Sequence, residues 1–242
     1  MASSGHGTGS AAPDPAAVIE RLLPATVVSA EAFGDVAGER CFPGEEHLVA
    51  QAVPERRREF VTARRCARQA LRELGFPPAA ILPGPRRAPR WPPGVVGSIT
   101  HCRGYRAAAV ARTAHAAGLG IDAEPHRPLP AGVVETISTA GEPKMLRRLR
   151  DVDLATHWDR LLFSAKESIY KAWYPLTGRE LGFEEARLSI EPVTRTFTGQ
   201  LVVTTGVPGP RVVHGRYLVG DGLVVTAVLV PSGHGKKTRP GR

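Results

Sequence analysis

Several features that would place a chain outside the ordinary globular class are missing from this sequence. Its 242 residues include only three cysteines, Cys41, Cys66 and Cys102, an odd number without CxxC spacing. Neither a disulfide framework nor a zinc site is therefore indicated, and we expect a reducing, cytoplasmic location. No run of about 18 apolar residues occurs, and no basic region followed by an apolar one opens the chain, so we expect neither a membrane span nor a signal peptide.

Nucleotide-binding and nucleic-acid-binding signatures are also missing. No GxxxxGK(S/T) loop is present, which excludes a P-loop enzyme, and no GxGxxG sequence follows a predicted strand. Only 6% of the residues are aromatic, and no RNP-type or helix-turn-helix signature stands out. A basic nucleic-acid-binding protein without enzymatic activity is therefore an alternative supported by the net charge and by the arginine-rich segment 53–76.

Lysine is scarce although the chain is strongly basic. The formal net charge is +9, yet five lysines stand against twenty-seven arginines. Such a balance favours an acidic partner: nucleic acid, an anionic membrane, an acidic protein or a phosphate-rich ligand. Two of the five lysines lie in LLFSAKESIYKAW (161–173), which indicates a local requirement for an ammonium group rather than a guanidinium.

The patterning predicts an α+β fold with unstructured ends. Residues 1–16 and 232–242 have the small, polar composition of disordered segments. A boundary near residue 119 divides the remainder into an N-terminal half (17–119) and a C-terminal half (120–231), each with helix and sheet. Helices are predicted over 53–76 and 156–173, strands over 94–100, 105–112, 118–124, 186–192, 195–205 and 221–230, and a Pro-rich loop over 83–94.

Asp122 and Glu124 form the first candidate site. On a strand, residues two apart share a face with their Cα atoms roughly 6.5–7 Å apart, so the two carboxylates repel each other unless a cation lies between them. Oxygen ligands of this kind suit Mg²⁺ that also binds phosphate oxygens. The alternative is a solvated strand end before Pro125.

The second candidate is the charged face of the predicted helix 156–173. Glu167 and Lys171 have the i,i+4 spacing of an ordinary surface ion pair, but that interpretation leaves Lys166 unexplained. A third carboxylate flanked by two ammonium groups is what a Mg²⁺–polyphosphate site requires, with Glu167 as a metal ligand or a proton acceptor.

A third set consists of possible phosphate donors. His101 follows a predicted strand, and Ser98 and Thr100 precede it; a lone histidine at a turn is more often a surface or packing residue. The helix 53–76 carries seven arginines on its polar faces, most of which we interpret as solvated, although one or two could bind a phosphate bidentately.

Three segments in this order resemble the 4′-phosphopantetheinyl transferases. They are VGSITHCRGYRAAAV (96–110), LGIDAEPH (119–126) and the stretch 158–186, which begins WDRLLFSAKESIYKAW and ends GFEEA. The resemblance is closest to the group related to enterobactin-synthetase transferases, in its actinobacterial form. It implies a pseudo-twofold α+β fold with coenzyme A (CoA) in the cleft between the halves, and transfer of phosphopantetheine to a serine of an apo acyl or peptidyl carrier domain.

The resemblance also implies roles for individual residues. Asp122, Glu124 and Glu167 would hold Mg²⁺, or Mn²⁺, on the pyrophosphate, with Asp122 also counted among the catalytic residues. Glu167 would also activate the serine, and Lys171 would protonate the leaving group. The residues expected to bind CoA are Arg56, Arg64, Thr100, His101 and Lys166, with Arg86 replacing a lysine that relatives often carry where this chain has Pro83.

The implied partners are acidic carrier domains and CoA, with no nucleic acid and no membrane, and the implied state is a monomer. The segment 127–158 would lie near the carrier-docking surface, where a basic protein suits an acidic carrier. Two further alternatives are a different Mg²⁺-dependent phosphotransferase acting on a nucleotide and a transferase fold without activity.

Overall fold

The computed structural model describes residues 18–203 and 206–233. The N-terminal segment predicted to be disordered, and residues 234–242 of the tail, lie outside that range. Mixed α and β structure with antiparallel sheets confirms the predicted fold class. The strands are β1 (Val27–Phe33), β2 (Val95–Cys102), β3 (Tyr105–Arg112), β4 (Ala116–Pro125), β5 (Ala186–Glu191), β6 (Thr196–Leu201), β7 (Val212–Gly220) and β8 (Leu223–Pro231). The helices are α1 (Pro54–Glu73), α2 (Val133–Ile137), α3 (Glu142–Val152) and α4 (Trp158–Thr177).

The N-terminal half packs α1 on a three-stranded antiparallel sheet of order β1-β3-β2. Proline at the first helical position needs no partner for a backbone N–H, which suits Pro54 to the start of α1. Gly75, with φ +92°, follows the end of the helix in a conformation that favours glycine. Cys66, Ala67, Ala70 and Leu71 of the helix are buried in one hydrophobic cluster with side chains of the sheet, whereas Phe60 packs against Val49.

The C-terminal half packs α4 across a five-stranded antiparallel sheet of order β4-β8-β7-β6-β5. The apolar positions of α4 are almost fully buried in one hydrophobic cluster with the side chains of this sheet. Gly178 ends the helix with φ +69°. Each half therefore has a twenty-residue helix on an antiparallel sheet, although the sheets differ in strand number.

The two halves meet where β2 lies beside β4. Instead of a backbone ladder, the hydroxyl of Ser98 accepts the N–H of Ile121 at 3.1 Å, and the hydroxyl of Thr100 accepts the N–H of Ala123 at 3.0 Å. Because β4 begins at Ala116, the division between the sheets falls at 113–115, a few residues before the predicted boundary.

The structure contains elements that the sequence patterns did not indicate. These are β1 and β7 among the strands and α2 and α3 among the helices. In the parts of the chain that the structure describes, no helix has the length and apolar character needed to cross a membrane.

Close contact between α4 and β4 depends on Gly120. A Cβ atom at this position would lie 1.9 Å from the carbonyl oxygen of Ser168 and 2.7 Å from the backbone nitrogen of Ala172. We expect Gly120→Ala to lower the free energy of unfolding by about 3 kcal/mol, because the helix must move away from the strand. Urea unfolding measures this change.

Gly220→Ala is the matched control, since the nearest atom, Leu218 Cδ2, is 3.5 Å from the added Cβ. Its effect should stay within about 0.5 kcal/mol. Equal stability of the two variants would contradict the close packing of α4 on β4.

Candidate active site

A cleft of about 460 Å³ lies between α1, the 83–89 loop, β2 and α4. Among the described residues, no carboxylate lines it, whereas six basic side chains do. A cleft with one sign of charge concentrates ligands of the opposite sign, so this one suits an extended polyanion. The basic lining residues are Arg56, Arg64, Arg86, Arg87, His101 and Lys171.

Arg64 is held on the α1 wall by two contacts. Its guanidinium carbon lies 3.6 Å from the centroid of the Phe60 ring, and its Nε donates to the carbonyl of Ile81 at 3.1 Å. Burial lowers the pKa of Arg64 to about 10, with the charge of Glu45 opposing the shift. The group therefore stays charged at neutral pH in a fixed orientation.

Arg56 and His101 meet at the other end of the α1 wall. Nη1 of Arg56 contacts both ring nitrogens of His101 and donates to Glu59 Oε2 at 3.3 Å. Burial lowers the pKa of His101 to about 4, and the charge of Arg56 adds to this shift. The imidazole is therefore neutral at pH 7 and acts as a hydrogen-bonding group.

The Pro-rich loop places two more arginines at the cleft. Arg86 and Arg87 both have positive φ, 54° and 61°, a conformation that is uncommon for residues other than glycine. The N–H of Gly84 donates to the carbonyl of Ala88 at 2.7 Å, which closes the loop. Arg86 forms an exposed ion pair at 2.6 Å with Glu180, just beyond α4, so it connects the two halves.

Asp122 lies at the base of the site and is buried. Its Oδ1 accepts from Lys171 Nζ at 2.7 Å, and Lys171 also donates to the carbonyl of Ile121 at 3.1 Å. Oδ2 of Asp122 is buried and has no hydrogen-bond partner among the described residues. The solvated strand end considered from sequence is therefore wrong for Asp122, and Lys171 bonds to Asp122 rather than forming a surface pair with Glu167.

Burial and the charge of Asp122 both affect the pKa values of Glu124 and Glu167. Burial raises the pKa of Glu124, with Asp122 adding to the shift and Arg160 opposing it at 2.9 Å. Burial also raises the pKa of Glu167, with Lys171 opposing and Asp122 adding. Both carboxyl groups therefore lie within electrostatic range of Asp122.

The residues present fit a divalent cation only in part. A bound cation would give the buried Oδ2 of Asp122 a partner. It would also oppose the raised pKa values of Glu124 and Glu167. Within the described residues, however, no group of three or more His, Cys, Asp or Glu side chains has the arrangement of a metal site. Asp122 and Glu124 are each paired with a separate cation, Lys171 and Arg160.

Comparisons with known proteins agree with this architecture. A family model described as the 4′-phosphopantetheinyl transferase N-terminal domain matches residues 44–111, and one described as the 4′-phosphopantetheinyl transferase superfamily matches residues 118–217. The 4′-phosphopantetheinyl transferase Svp of Streptomyces mobaraensis is 52% identical over 232 residues, which cover 93% of this chain and 94% of that protein. This chain belongs to the 4′-phosphopantetheinyl transferase family.

Two further relatives match nearly their whole length. The 4′-phosphopantetheinyl transferase Npt of Nocardia iowensis is 49% identical over 222 residues, or 87% of this chain and 99% of that protein. The 4′-phosphopantetheinyl transferase PptT of Mycobacterium tuberculosis is 45% identical over 224 residues, or 88% of this chain and 98% of that protein. The resemblance seen in the sequence is thus confirmed, and the protein is a transferase of a family that uses CoA and acts on carrier proteins.

The structure of this phosphopantetheinyl transferase does not bring Lys166 to the cleft. The Lys166 ammonium is buried and donates to Glu142 at 2.9 Å and to the carbonyls of Ile137 and Phe183 at 2.6 and 2.9 Å. All three of its N–H groups are therefore used on the side of α4 facing α2 and α3. Lys166, predicted to contact phosphate, instead joins α4 to Glu142 and to the carbonyls of Ile137 and Phe183 in the interior.

Thr100 likewise occupies a different place from the one predicted. Its hydroxyl is buried, accepts the N–H of Ala123, and lies 3.4 Å from Asp122 Oδ1, to which it donates. Thr100 therefore joins β2 to β4 and supports Asp122, rather than presenting a donor to the cleft.

Several residues of the transferase site were not found from the sequence. Glu59 contacts Arg56 and His101, and Arg160 pairs with Glu124. The i,i+3 spacing of Arg56 and Glu59 on α1 is a signal that could have indicated their contact. No spacing rule connects Arg160 with Glu124, because only the packing of α4 beside β4 brings them together.

The lowered pKa of His101 predicts a pH dependence of stability. Between about pH 6.5 and 4 the unfolded chain binds a proton at this residue that the folded protein does not, so the folded state loses stability as pH falls. After allowing for solvent screening, we expect the free energy of unfolding to fall between pH 7 and pH 5 by about 1 kcal/mol more in the wild type than in His101→Gln.

Urea unfolding of both proteins at the two pH values measures the difference. Identical losses would mean that His101 takes up a proton as readily in the folded protein as in the unfolded chain.

Proposed function

We propose that this transferase moves 4′-phosphopantetheine from CoA to a serine of apo acyl or peptidyl carrier domains and releases adenosine 3′,5′-bisphosphate. The observation that carries this proposal is the basic cleft, which leads along α1 and β2 to Lys171, the partner of buried Asp122. CoA carries its phosphates as an extended polyanion, and the cleft offers arginines along its length and a lysine at the end where the carboxylates lie.

Basic groups from the α1 wall, from β2 and from the Pro-rich loop would position CoA. Arg64 and Arg56 would bind the 3′-phosphate, since both lie on the α1 wall and planar guanidinium groups suit phosphate oxygens. His101 and Arg86 would bind further phosphate oxygens. For Arg86 this requires exchange of an exposed ion pair with Glu180, which contributes little to stability.

Mg²⁺ is the metal that the oxygen donors favour, and Mn²⁺ is a possible substitute. Asp122, Glu124 and Glu167 would hold it. When bound, the metal neutralises charge on the pyrophosphate. Binding would compete with the pairing of Asp122 to Lys171, which would leave the Lys171 ammonium available for phosphate oxygens or for the leaving group.

The transfer step breaks the phosphate–oxygen bond between the two halves of the pyrophosphate. The serine oxygen of the carrier bonds to the phosphorus of the phosphopantetheine, and the serine proton passes to Glu167 or to a water beside it. Burial raises the pKa of Glu167, which makes its carboxylate a stronger base than an exposed one. Adenosine 3′,5′-bisphosphate leaves, with Lys171 placed to donate a proton to it.

The proposed partner is an acidic carrier domain, and the proposed setting is a monomer in the cytoplasm. The net charge of +9 favours association with an acidic protein surface. A nucleic-acid-binding protein without activity would share this charge but has no use for the buried Asp122 and its two neighbouring glutamates.

Mass spectrometry of an intact apo carrier protein tests the reaction directly. With CoA and Mg²⁺ the carrier should gain one phosphopantetheine unit, and EDTA should prevent the gain. Asp122→Asn and Glu167→Gln should each lower the rate by at least about a hundredfold, because each removes a charge from the reacting centre.

Glu191→Gln is the control, since Glu191 is an exposed residue at the end of β5. It should transfer at the wild-type rate. Transfer by Glu167→Gln at near-normal rates would remove Glu167 from the proposed catalytic set. Absence of transfer to every carrier type, together with absence of CoA binding, would contradict the proposed function.

Arg64→Ala tests the assignment of the nucleotide-binding wall. Loss of a fixed charged donor to phosphate should weaken CoA binding about tenfold or more in calorimetric titration. Arg72→Ala, an exposed arginine further along α1, should leave the affinity unchanged within about twofold. Equal affinity of Arg64→Ala and wild type would show that the 3′-phosphate lies elsewhere.

A further inference from the structure

Glu59 lies among three basic side chains behind the α1 wall of the cleft. Its Oε2 is 3.3 Å from Arg56 Nη1 and 3.6 Å from His101 Nδ1, and its Oε1 is 3.6 Å from Arg106 Nη2. The Glu59 side chain is only 16% exposed, compared with 48% for Arg56. The carboxylate therefore stands between the interior and a guanidinium that faces solvent.

Arg106 connects Glu59 to a rigid part of the fold. It is buried, donates to the carbonyl of Cys102 at 2.6 Å, and pairs with Asp35 at 2.7 Å. The charge of Arg106 would thus remain compensated if Glu59 were replaced. On its other side Glu59 accepts a hydrogen bond from Arg56, whose Nη1 also contacts the His101 ring.

The His101 ring lies beside the same two groups. Arg56 Nη1 contacts both ring nitrogens, and the nearer contact is with Nε2 at 2.5 Å. Glu59 Oε2 is 3.6 Å from Nδ1, too far for a hydrogen bond, so Glu59 influences the His101 ring mainly through Arg56.

We propose that Glu59 is a positioning residue for phosphate recognition, which holds Arg56 and His101 in the orientation in which they bind the nucleotide part of CoA. This inference rests on the proposed function. Glu59 does not touch the ligand. It acts by restricting Arg56, whose rotamer freedom would otherwise be lost at the moment of binding.

The negative charge of Glu59 opposes an anionic ligand, so two effects compete. Arg106 offsets part of this charge from 3.6 Å, although Asp35 is its closer partner at 2.7 Å. Loss of the contact between Arg56 Nη1 and Glu59 Oε2 would leave His101 to restrain the Arg56 side chain. We expect positioning to be the larger effect, so removal of Glu59 should weaken nucleotide binding rather than strengthen it.

Calorimetric titration of the full chain with adenosine 3′,5′-bisphosphate tests the proposal. Glu59→Gln should weaken binding about tenfold, the effect of one charge-assisted hydrogen bond. Glu55→Gln, an exposed carboxylate one turn earlier on α1, should bind within about twofold of wild type. In an Arg56→Ala background, Glu59→Gln should have at most about a threefold further effect, because its target is gone.

Glu59→Asp separates positioning from charge. It keeps the negative charge but withdraws the carboxylate from Arg56 by one methylene, so affinity should again fall several-fold. In carrier assays the Glu59 variants should raise KM for CoA with kcat at saturating CoA within about twofold of wild type.

Unaltered or tighter nucleotide binding by Glu59→Gln would overturn the inference, since Glu59 would then only balance charge. A full tenfold loss of nucleotide affinity when Glu59→Gln is added to Arg56→Ala would also overturn it, because Glu59 would then act through the fold rather than through Arg56. A wild-type chain that does not bind the nucleotide overturns the proposed function together with this inference. Normal wild-type binding with an unaltered Glu59→Gln variant overturns the inference alone.

Discussion

The contact of α4 with β4 is the constraint on which the proposed site depends. Gly118 and Gly120 allow the backbone of the helix to lie directly on the strand, since a Cβ atom at either position would collide with α4. At this distance Lys171 on the helix reaches Asp122 and the carbonyl of Ile121 on the strand. The strand also lies beside β2, which carries His101, so this close contact places Lys171, the partner of Asp122, in the cleft that the α1 wall lines.

Several buried charged side chains in this protein are paired with groups of opposite charge. Lys166 with Glu142, Lys171 with Asp122, Arg160 with Glu124 and Arg106 with Asp35 each place opposite charges within hydrogen-bonding distance. Removal of one partner of such a pair leaves an uncompensated charge and is strongly destabilising. The charges in and around the site therefore restrain one another's geometry, while the arginines of the cleft wall keep donors for a ligand.

Much of the fold followed from local patterns. The apolar stripes of α1 and α4 and the alternation or β-branched runs of most strands predicted those elements within a few residues. By contrast, β7 carries Gly215 against the Phe197 ring, and glycine weakens a strand pattern that only the neighbouring side chain explains. The short α2 was also missed, because five residues offer too little periodicity.

The sequence by itself determined the fold class, the two long helices and the family, and it led to the proposal that Asp122, Glu124 and Glu167 form the chemical centre. These depend on residue type and short spacing, which local patterns record. Only the tertiary structure decided which basic groups face the cleft: Lys171 does, whereas its neighbour Lys166 is buried against Glu142. It likewise revealed Glu59 behind Arg56 and His101. The physical reason is that residues five apart on a helix point to different sides, so the elements packed around α4 decide what each lysine meets.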